Sequence, residues 1–374
     1  MSAGLGPSSS SWPDLLPELL VQVLLRVPSH ADRVRFRAVC SSWRSVVQPC
    51  DLPPLLPWVA LRDGAFLSLP DGALYRLPFP ADVSHRVSMG DTLFSVHRDA
   101  TCYRTNPLTG ETTSEHIDPD ILWSDMRMRT HNVRKVVVSD RVVAAIGISC
   151  LKASICSRAP QTCSACFQCE LPADDIVLFQ GKLYLLTSRH FPITLQLHRK
   201  LHAMDLGQAI ANDTHTLPAY LYKRHYYLVV SGDRLLMVER EVEMEPAGNV
   251  PRRTRRLEVF EATGLLDGSG HARWRKVDTL MGHALFISLD CSWSIPVASH
   301  YGRAVAGAQE DCVYFMNEHK LHSSTDGKPE DDFRNCGVYN IRDQTMSPLP
   351  TELASTLASH GGPWSLTWFF LPHI

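Results

Sequence analysis

Three cysteines spaced Cys163-x2-Cys166-x2-Cys169, with Cys150 and Cys156 nearby, are the residues best placed to bind a metal. Thiolates two residues apart can converge on one tetrahedral ion, but no paired second knuckle follows. His198 and His202 would share a helix face at i, i+4, yet they sit among strand-like residues. The expectation is therefore a Cys-rich segment, with no metal and no cofactor. Catalytic motifs are missing too: no Gly-rich phosphate loop, no Gly-x-Ser-x-Gly elbow, no His-Glu-x-x-His. Asp174-Asp175 and Glu330-Asp331-Asp332 are acidic runs that read as solvated turns. Pro251-Arg252-Arg253-Thr254-Arg255-Arg256 has the composition of a nuclear-import or nucleic-acid patch. It follows Glu239, Glu241, Glu243 and Glu245, so the simpler reading is a hairpin that pairs acid with base across its strands.

The bulk numbers bound the partners. The chain has 374 residues, 44% hydrophobic and 20% charged, enough to bury a real core. Its 37 basic and 39 acidic residues give a formal charge of -2, which provides no global attraction to nucleic acid or anionic membrane. Residues 1–11 carry no Lys or Arg and read as disordered, without the basic start and apolar run of a secretory leader. The apolar stretch Val142–Leu151 is too short to span a bilayer. Eleven cysteines, an odd number, read as reduced thiols. Together these set the expectation of a cytoplasmic or nuclear protein, or one present in both.

Two kinds of element must position whatever this chain binds. From Trp12 to Val27 the apolar residues Leu16, Leu20, Val23 and Val27 recur at helical spacing, widened by Leu24. Asp14 or Pro17 can start this helix and Pro28 stops it. Ser29 or His30 can cap a second helix through Arg37, and a third covers Cys40–Val47 around Trp43. Leu15, Leu19 and Leu25 lie off the main stripe, so the first helix is apolar on more than one side. A three-helix unit this small is marginal unless it docks on something.

The string Leu16-Pro17-Glu18-Leu19-Leu20, then Val23, Val27, Arg33, Arg35, Val39-Cys40 and Trp43-Arg44, resembles the F-box. The resemblance implies binding to a Skp-type adaptor and, through it, to a cullin. It assigns the adaptor-facing positions to Leu16, Pro17, Leu20, Leu24, Val39, Cys40 and Trp43. His30 departs from the family pattern, where an apolar residue is usual.

Residues 49–57 are proline-rich and read as a stiff linker. Beyond them the periodicity changes to short runs, each a tight turn followed by aliphatic or aromatic residues. Six such runs start at Gly72, Gly90, Ser139, Gly181, Gly232 and Glu310. Degenerate units of 40–50 residues built from short strands are the pattern of a β-propeller. The expected fold is mainly β with a small N-terminal α module: a three-helix F-box over 12–48, then a six-bladed propeller over 58–374. A seventh blade stays open because the last gap is long. The stretch Trp364–Phe370 could close the ring by adding a strand to the first blade.

The β half also carries a resemblance. Tyr75-Arg76-Leu77-Pro78, Asn106-Pro107-Leu108-Thr109-Gly110, Asp175–Tyr184, Arg255–Phe260 and Val338-Tyr339-Asn340 are similar to a plant family joining an F-box to a "domain of unknown function 295", a KIB-type propeller. What this implies is a substrate receptor of a ubiquitin ligase that holds an unidentified protein client. The irregular segments Ser154–Gln168, Arg240–Arg256 and Glu318–Asn335 are its candidate client loops. Two alternatives stand beside it: a hydrolase-like propeller enzyme with a helical cap, and an F-box scaffold that degrades nothing.

Overall fold

A computed structural model describes residues 12, 15–27, 29–47, 55–69, 71–77, 82–117, 123–125, 130–131, 133–140, 142–147, 153–157, 167–169, 173–187, 201–205, 222–244, 251–265, 273–297, 308–316, 335–348, 360, 362 and 364–371. The Cys163 and Cys166 positions, His198 and Glu330–Asp332 lie outside them.

The N-terminal module has three helices: α1 (Pro17–Leu24), α2 (His30–Ala38) and α3 (Ser41–Val47). Proline's fixed φ and missing N–H suit the first helical position, and Pro17 occupies it. The Ser29 side chain caps α2 by accepting from the Asp32 N–H. Leu20, Leu24, Phe36 and Val46 form the module's own apolar core.

The β region begins with β1 (Trp58–Ala60), β2 (Ala65–Ser68) and β3 (Leu74–Arg76). The second sheet is β4 (Val83–Ser88), β5 (Leu93–His97), β6 (Cys102–Thr105) and β7 (Thr112–Glu115). A two-stranded ribbon follows, β8 (Trp123–Asp125) with β9 (Thr130–His131). The third sheet is β10 (Val133–Val138), β11 (Val142–Gly147), β12 (Ala153–Ser157) and β13 (Phe167–Cys169). In the fourth, β14 (Ala173–Phe179) pairs with β15 (Lys182–Thr187), which runs parallel to β16 (Leu201–Asp205). The fifth is β17 (Tyr222–Ser231), β18 (Arg234–Met244), β19 (Pro251–Thr263) and β20 (Arg273–Val277). The sixth is β21 (His283–Ile287), β22 (Ser292–Pro296), β23 (Cys312–Phe315), β24 (Gly337–Asn340) and β25 (Thr345–Pro348). The last strand, β26 (Thr367–Phe369), pairs with β1 and so belongs to the first sheet.

Apolar seams run between consecutive sheets. Leu93 packs with Ala60 and Phe66, Val136 with Phe94, Ile176 with Ile146, Leu228 with Tyr184, and Leu285 with Val238. The seam of Leu67, Phe286 and Trp368 joins the last sheet to the first and closes the ring. Five of the sheets have four or more strands, the complement of a complete blade. The fourth has three among the described residues and ends on a parallel pairing. The expectation of six blades, or seven, is therefore corrected to five complete ones. Tight-turn motifs mark hairpins, and a hairpin can fall at any position in a blade. The motif at Gly72 leads into an outer strand, β3, and the one at Glu310 into a mid-blade strand, β23. The long gap after Gly232 holds an elongated hairpin and the start of the sixth sheet.

Ring closure predicts a measurable cost. The Trp368 indole is fully buried and donates to the Ile287 carbonyl at 3.0 Å. Replacing it with alanine empties the closing seam and should destabilise the β domain by about 3–5 kcal/mol in urea denaturation. An unchanged midpoint would show that closure does not depend on this ring.

Candidate functional site

Three places in the molecule combine exposure with unusual chemistry: the surface of the helical module, an axial cavity, and a cleft at the far end of the ring.

Six of the ten exposed large apolar side chains among the described residues belong to the helical module: Trp12, Leu16, Leu19, Val23, Val34 and Val39. Water opposes leaving so many apolar groups uncovered in so small a unit. On α1 the split is clean. Leu16, Leu19 and Val23, spaced i, i+3, i+7, form an outer stripe, with Leu16 63% exposed and Leu19 50%. Leu20 and Leu24 face inward and are fully buried. Of the residues expected at an adaptor surface, Leu16, Pro17 and Val39 are exposed and Cys40 is half-buried. Trp43 is half-buried and packs on Phe36 at 4.3 Å between ring centroids. Leu20 and Leu24 belong to the module's core, where a partner cannot reach them without unfolding it. The spacing that put them on one stripe with Leu16 and Val23 covers both faces of a narrow helix.

The module is docked on the first blade. The Ser29 hydroxyl, which caps α2, also hydrogen-bonds the Asp71 carboxylate beside the β2–β3 turn. His30, odd for its family position, meets the Trp58 indole edge-on at 6.0 Å. Burial, reinforced by the Arg33 charge, pushes its pKa down to about 4, and its Nε2 is buried without a hydrogen bond. The ring is thus neutral and serves as packing against the propeller.

The axial cavity, of about 490 Å³, opens where the inner strands end. Val136, Ile176, Leu178 and Val230 line its walls and Trp293 stands at its lip, 45% exposed. That indole lies over Gly90, where an added Cβ would come within 2.8 Å of it. Gly90 also sits at φ 80°, so both space and backbone require glycine. In the cavity wall, Lys135 Nζ reaches Asp175 Oδ1 at 2.8 Å and Ser292 Oγ at 3.3 Å. Asp175 accepts from the Leu228 N–H at 2.6 Å as well. These bonds join the third, fourth, fifth and sixth sheets around the axis. Asp175 was expected in a solvated turn; it is instead 1% exposed within β14. Its signal was a charge set against the unbroken apolar run Ile176–Phe179, as Lys135 is against Val136–Val138. With its donors and acceptors engaged, the pair has the geometry of a staple. Next to it, burial raises the Asp290 pKa, against hydrogen bonds from Thr367, the Ser88 N–H and Ser288.

At the opposite end, β18 and β19 run far beyond an ordinary blade, and the segments expected as a client loop, Arg240–Met244 and Pro251–Arg256, are strands. The expected acid–base pairing is present: Arg253 with Glu243 at 2.7 Å, Arg255 with Glu241 at 3.3 Å. Among the described residues no cluster of three or more metal-type ligands occurs, and no helix is long and apolar enough to cross a membrane.

A helical module with an uncovered apolar face, fixed to a ring of β-sheets, is the form of an F-box domain joined to a β-propeller. The F-box domain profile matches residues 12–54 and the KIB1-4 beta-propeller profile matches residues 66–340. The chain belongs to the KIB1-4 beta-propeller family and carries an F-box domain ahead of it. No curated protein matches it significantly. Among solved structures it is similar to Hsv2 of Kluyveromyces lactis, at 10% identity and TM-score 0.26 over 56% of this chain and 70% of that one. It is also similar to the N-terminal domain of Nup159, at 8% identity and TM-score 0.22 over 82% and 59% of the two chains. A putative 6-phosphogluconolactonase from Bacteroides uniformis matches at 13% identity and TM-score 0.28 over 78% and 81%.

Two outcomes follow from the geometry. Lys135→Met leaves Asp175 as an uncompensated buried charge and should cost about 3–5 kcal/mol. Adding Asp175→Asn, which keeps an acceptor for the Leu228 N–H, should recover most of it in a double-mutant cycle. No recovery would mean that the two side chains are not coupled. For His30, the unfolded ring takes up its proton first as pH falls, because the folded pKa lies below the ordinary value of 6.5. Stability held by the neutral ring should therefore decline between about pH 6.5 and about 4, and His30→Leu should flatten that decline in a pH series of thermal melts.

Proposed function

We propose that this chain is the substrate-recognition subunit of an SCF-type E3 ubiquitin ligase. F-box domains generally bind Skp1-type adaptors. Here the module would bind a Skp-type adaptor, and through it a cullin, while the propeller holds a protein client for ubiquitylation. The observation that carries this reading is the concentration of uncovered apolar side chains on the F-box module. The adaptor surface is then the outer stripe Leu16, Leu19 and Val23, with Pro17, Val39, Cys40 and Trp43 beside it. The chain contributes recognition, and the chemistry of ubiquitin transfer belongs to other subunits. Such a receptor works in the cytoplasm, the nucleus or both, and the plant affiliation with domain of unknown function 295 is part of the same proposal.

Capture of a Skp-type adaptor by full-length protein tests the first half. Leu16→Asp combined with Leu19→Asp should abolish capture while the thermal midpoint stays unchanged, because both side chains already face water. Leu20→Asp should instead collapse the module, since burying an unpaired carboxylate costs several kcal/mol. Undiminished capture by the Leu16/Leu19 double variant would refute the surface assignment. The second half is read in cells: the double variant should still bind clients yet lengthen their half-lives by shielding them. Half-lives unaffected by either form would replace the receptor with a non-degradative scaffold.

A further inference from the structure

The chain carries 29 arginines and only eight lysines, and the two are not evenly mixed. Residues 1–134 hold 13 arginines and no lysine, whereas residues 135–374 hold 16 arginines and all eight lysines. A uniform preference for arginine would thin lysine from both parts alike. The fold turns this split of the sequence into a split of the molecule. The helical module, the first sheet, and the second and sixth sheets that flank the first contain no lysine among the described residues. The described lysines sit on the other three sheets: Lys135 on β10, Lys182 on β15, Lys223 on β17 and Lys276 on β20. Lys152, Lys200, Lys320 and Lys328 lie outside the described residues.

Folding does not require this segregation. Arginine is irreplaceable where its planar fork binds bidentate or stacks. Arg35 on α2 and Arg76 on β3 do neither. Their side chains are 76% and 70% exposed, and each reaches one carboxylate oxygen, of Asp32 at 2.6 Å and of Asp63 at 2.9 Å. A lysine ammonium serves such a pair as well, and on β20 it does: Lys276, 61% exposed, reaches Glu258. Surface pairs of this kind add little stability with either cation. What separates the two cations is reactivity. A lysine ε-ammonium can give a proton to solvent and then attack the ubiquitin thioester carried by a transfer enzyme. The N–C bond forms as the C–S bond breaks, and the amine's surplus proton leaves with the thiol. A guanidinium stays protonated and delocalised at neutral pH, so it offers no such nucleophile. A receptor also stays in its complex through every transfer cycle, which makes any lysine it carries a tethered acceptor at high effective concentration.

We propose that the lysine-free side of the molecule protects the receptor from its own ligase: around the adaptor-binding module the surface presents guanidinium groups that activated ubiquitin cannot modify. This protection rests on the receptor reading above, and it lets the subunit outlast the clients it delivers.

The test compares two pairs of conservative substitutions in full-length protein assembled with a Skp-type adaptor, a cullin and a ubiquitin-charged transfer enzyme. Arg35→Lys with Arg76→Lys places two amines on the protected side. Arg253→Lys with Arg275→Lys places two on the fifth sheet, at matched exposures of 70% and 69% and in ion pairs of 2.7 Å each. Neither pair should move the thermal midpoint. The first pair should raise self-ubiquitylation about fivefold over the unaltered chain, with the ubiquitin mapped to positions 35 and 76 by mass spectrometry, and the second should raise it less than about twofold. Adding Leu16→Asp and Leu19→Asp to the first pair should abolish the gain. Equal gains from the two pairs, unmodified positions 35 and 76 in an assembly that forms free ubiquitin chains, or a gain that survives loss of adaptor capture would each overturn the proposal. Adaptor capture by the unaltered chain reports separately on the receptor reading: its absence sinks both, whereas intact capture with no difference between the two sides sinks the protection alone.

Discussion

An unpaired strand edge is the standing hazard of any sheet, and in this molecule it is removed by three residues. Thr367–Phe369 pair antiparallel with Ala60–Trp58, so residues from the two ends of the propeller sequence share one blade. The pairing is locked from the sides. Ser88 Oγ donates to the Trp368 carbonyl at 2.5 Å, the Phe370 N–H donates to the Gly90 carbonyl at 2.8 Å, and Thr367 shares a hydrogen bond with Ser288 at 3.0 Å. Each of these ties the closing strand to a blade on one side or the other. Every other seam of the ring presumes this one, because a ring with a gap exposes two apolar faces as well as two edges.

Closure also explains why charges are tolerated at the axis. Once the inner strands are held side by side, a lysine on β10 and an aspartate on β14 are fixed within bonding distance and cannot escape to water. A buried pair of this kind adds little net stability compared with apolar packing, but it punishes any slip of one blade against the next. Lys135, Asp175, Ser292 and the Leu228 N–H act together on four consecutive sheets. We read them as the device that sets the rotation of the blades, a task that apolar seams, being non-directional, perform poorly.

The architecture was legible in sequence wherever one local rule decided it. Pro17 opened the first helix, which ends at Leu24 short of the expected Val27, Asn106-Pro107-Leu108-Thr109-Gly110 announced a turn, and Trp364–Phe370 announced the closing strand. The turn is built as that composition requires, with Asn106 Oδ1 accepting from the Leu108 and Thr109 N–H groups; Asn340 repeats it with Arg342 and Asp343. The blade count was not legible, because outer strands such as Thr345–Pro348 are exposed throughout and carry no apolar signature. The face of α1 was half legible. Helical spacing finds the apolar residues, but with both sides of the helix apolar only the tertiary packing says that Leu20 and Leu24 turn in while Leu16, Leu19 and Val23 turn out. Asp175 was misread for a related reason: a charge next to a turn-like dipeptide looks solvated until its lysine arrives from 40 residues away.

Strand direction makes the two ends of the ring structurally different. The closing strand runs toward Gly90, and the start of β1 pairs with its far end at Trp58 and Phe369. The F-box module, held by Trp58 and Asp71, therefore sits at the end where the inner strands finish. From the turn at that end, β18 travels away for 11 residues, about 36 Å of extended chain, roughly twice the length of a usual strand. Its tip, with Glu243 and Arg253, must project at the opposite end. The outer stripe of α1 and the hairpin tip therefore lie toward opposite ends of the ring. The Ser29–Asp71 bond and the His30–Trp58 contact hold the module to the first blade, while Arg240 ties the hairpin to the sixth sheet. The separation of these two surfaces is set by the height of the ring itself, so a substitution at the hairpin tip leaves the packing of the helical module untouched.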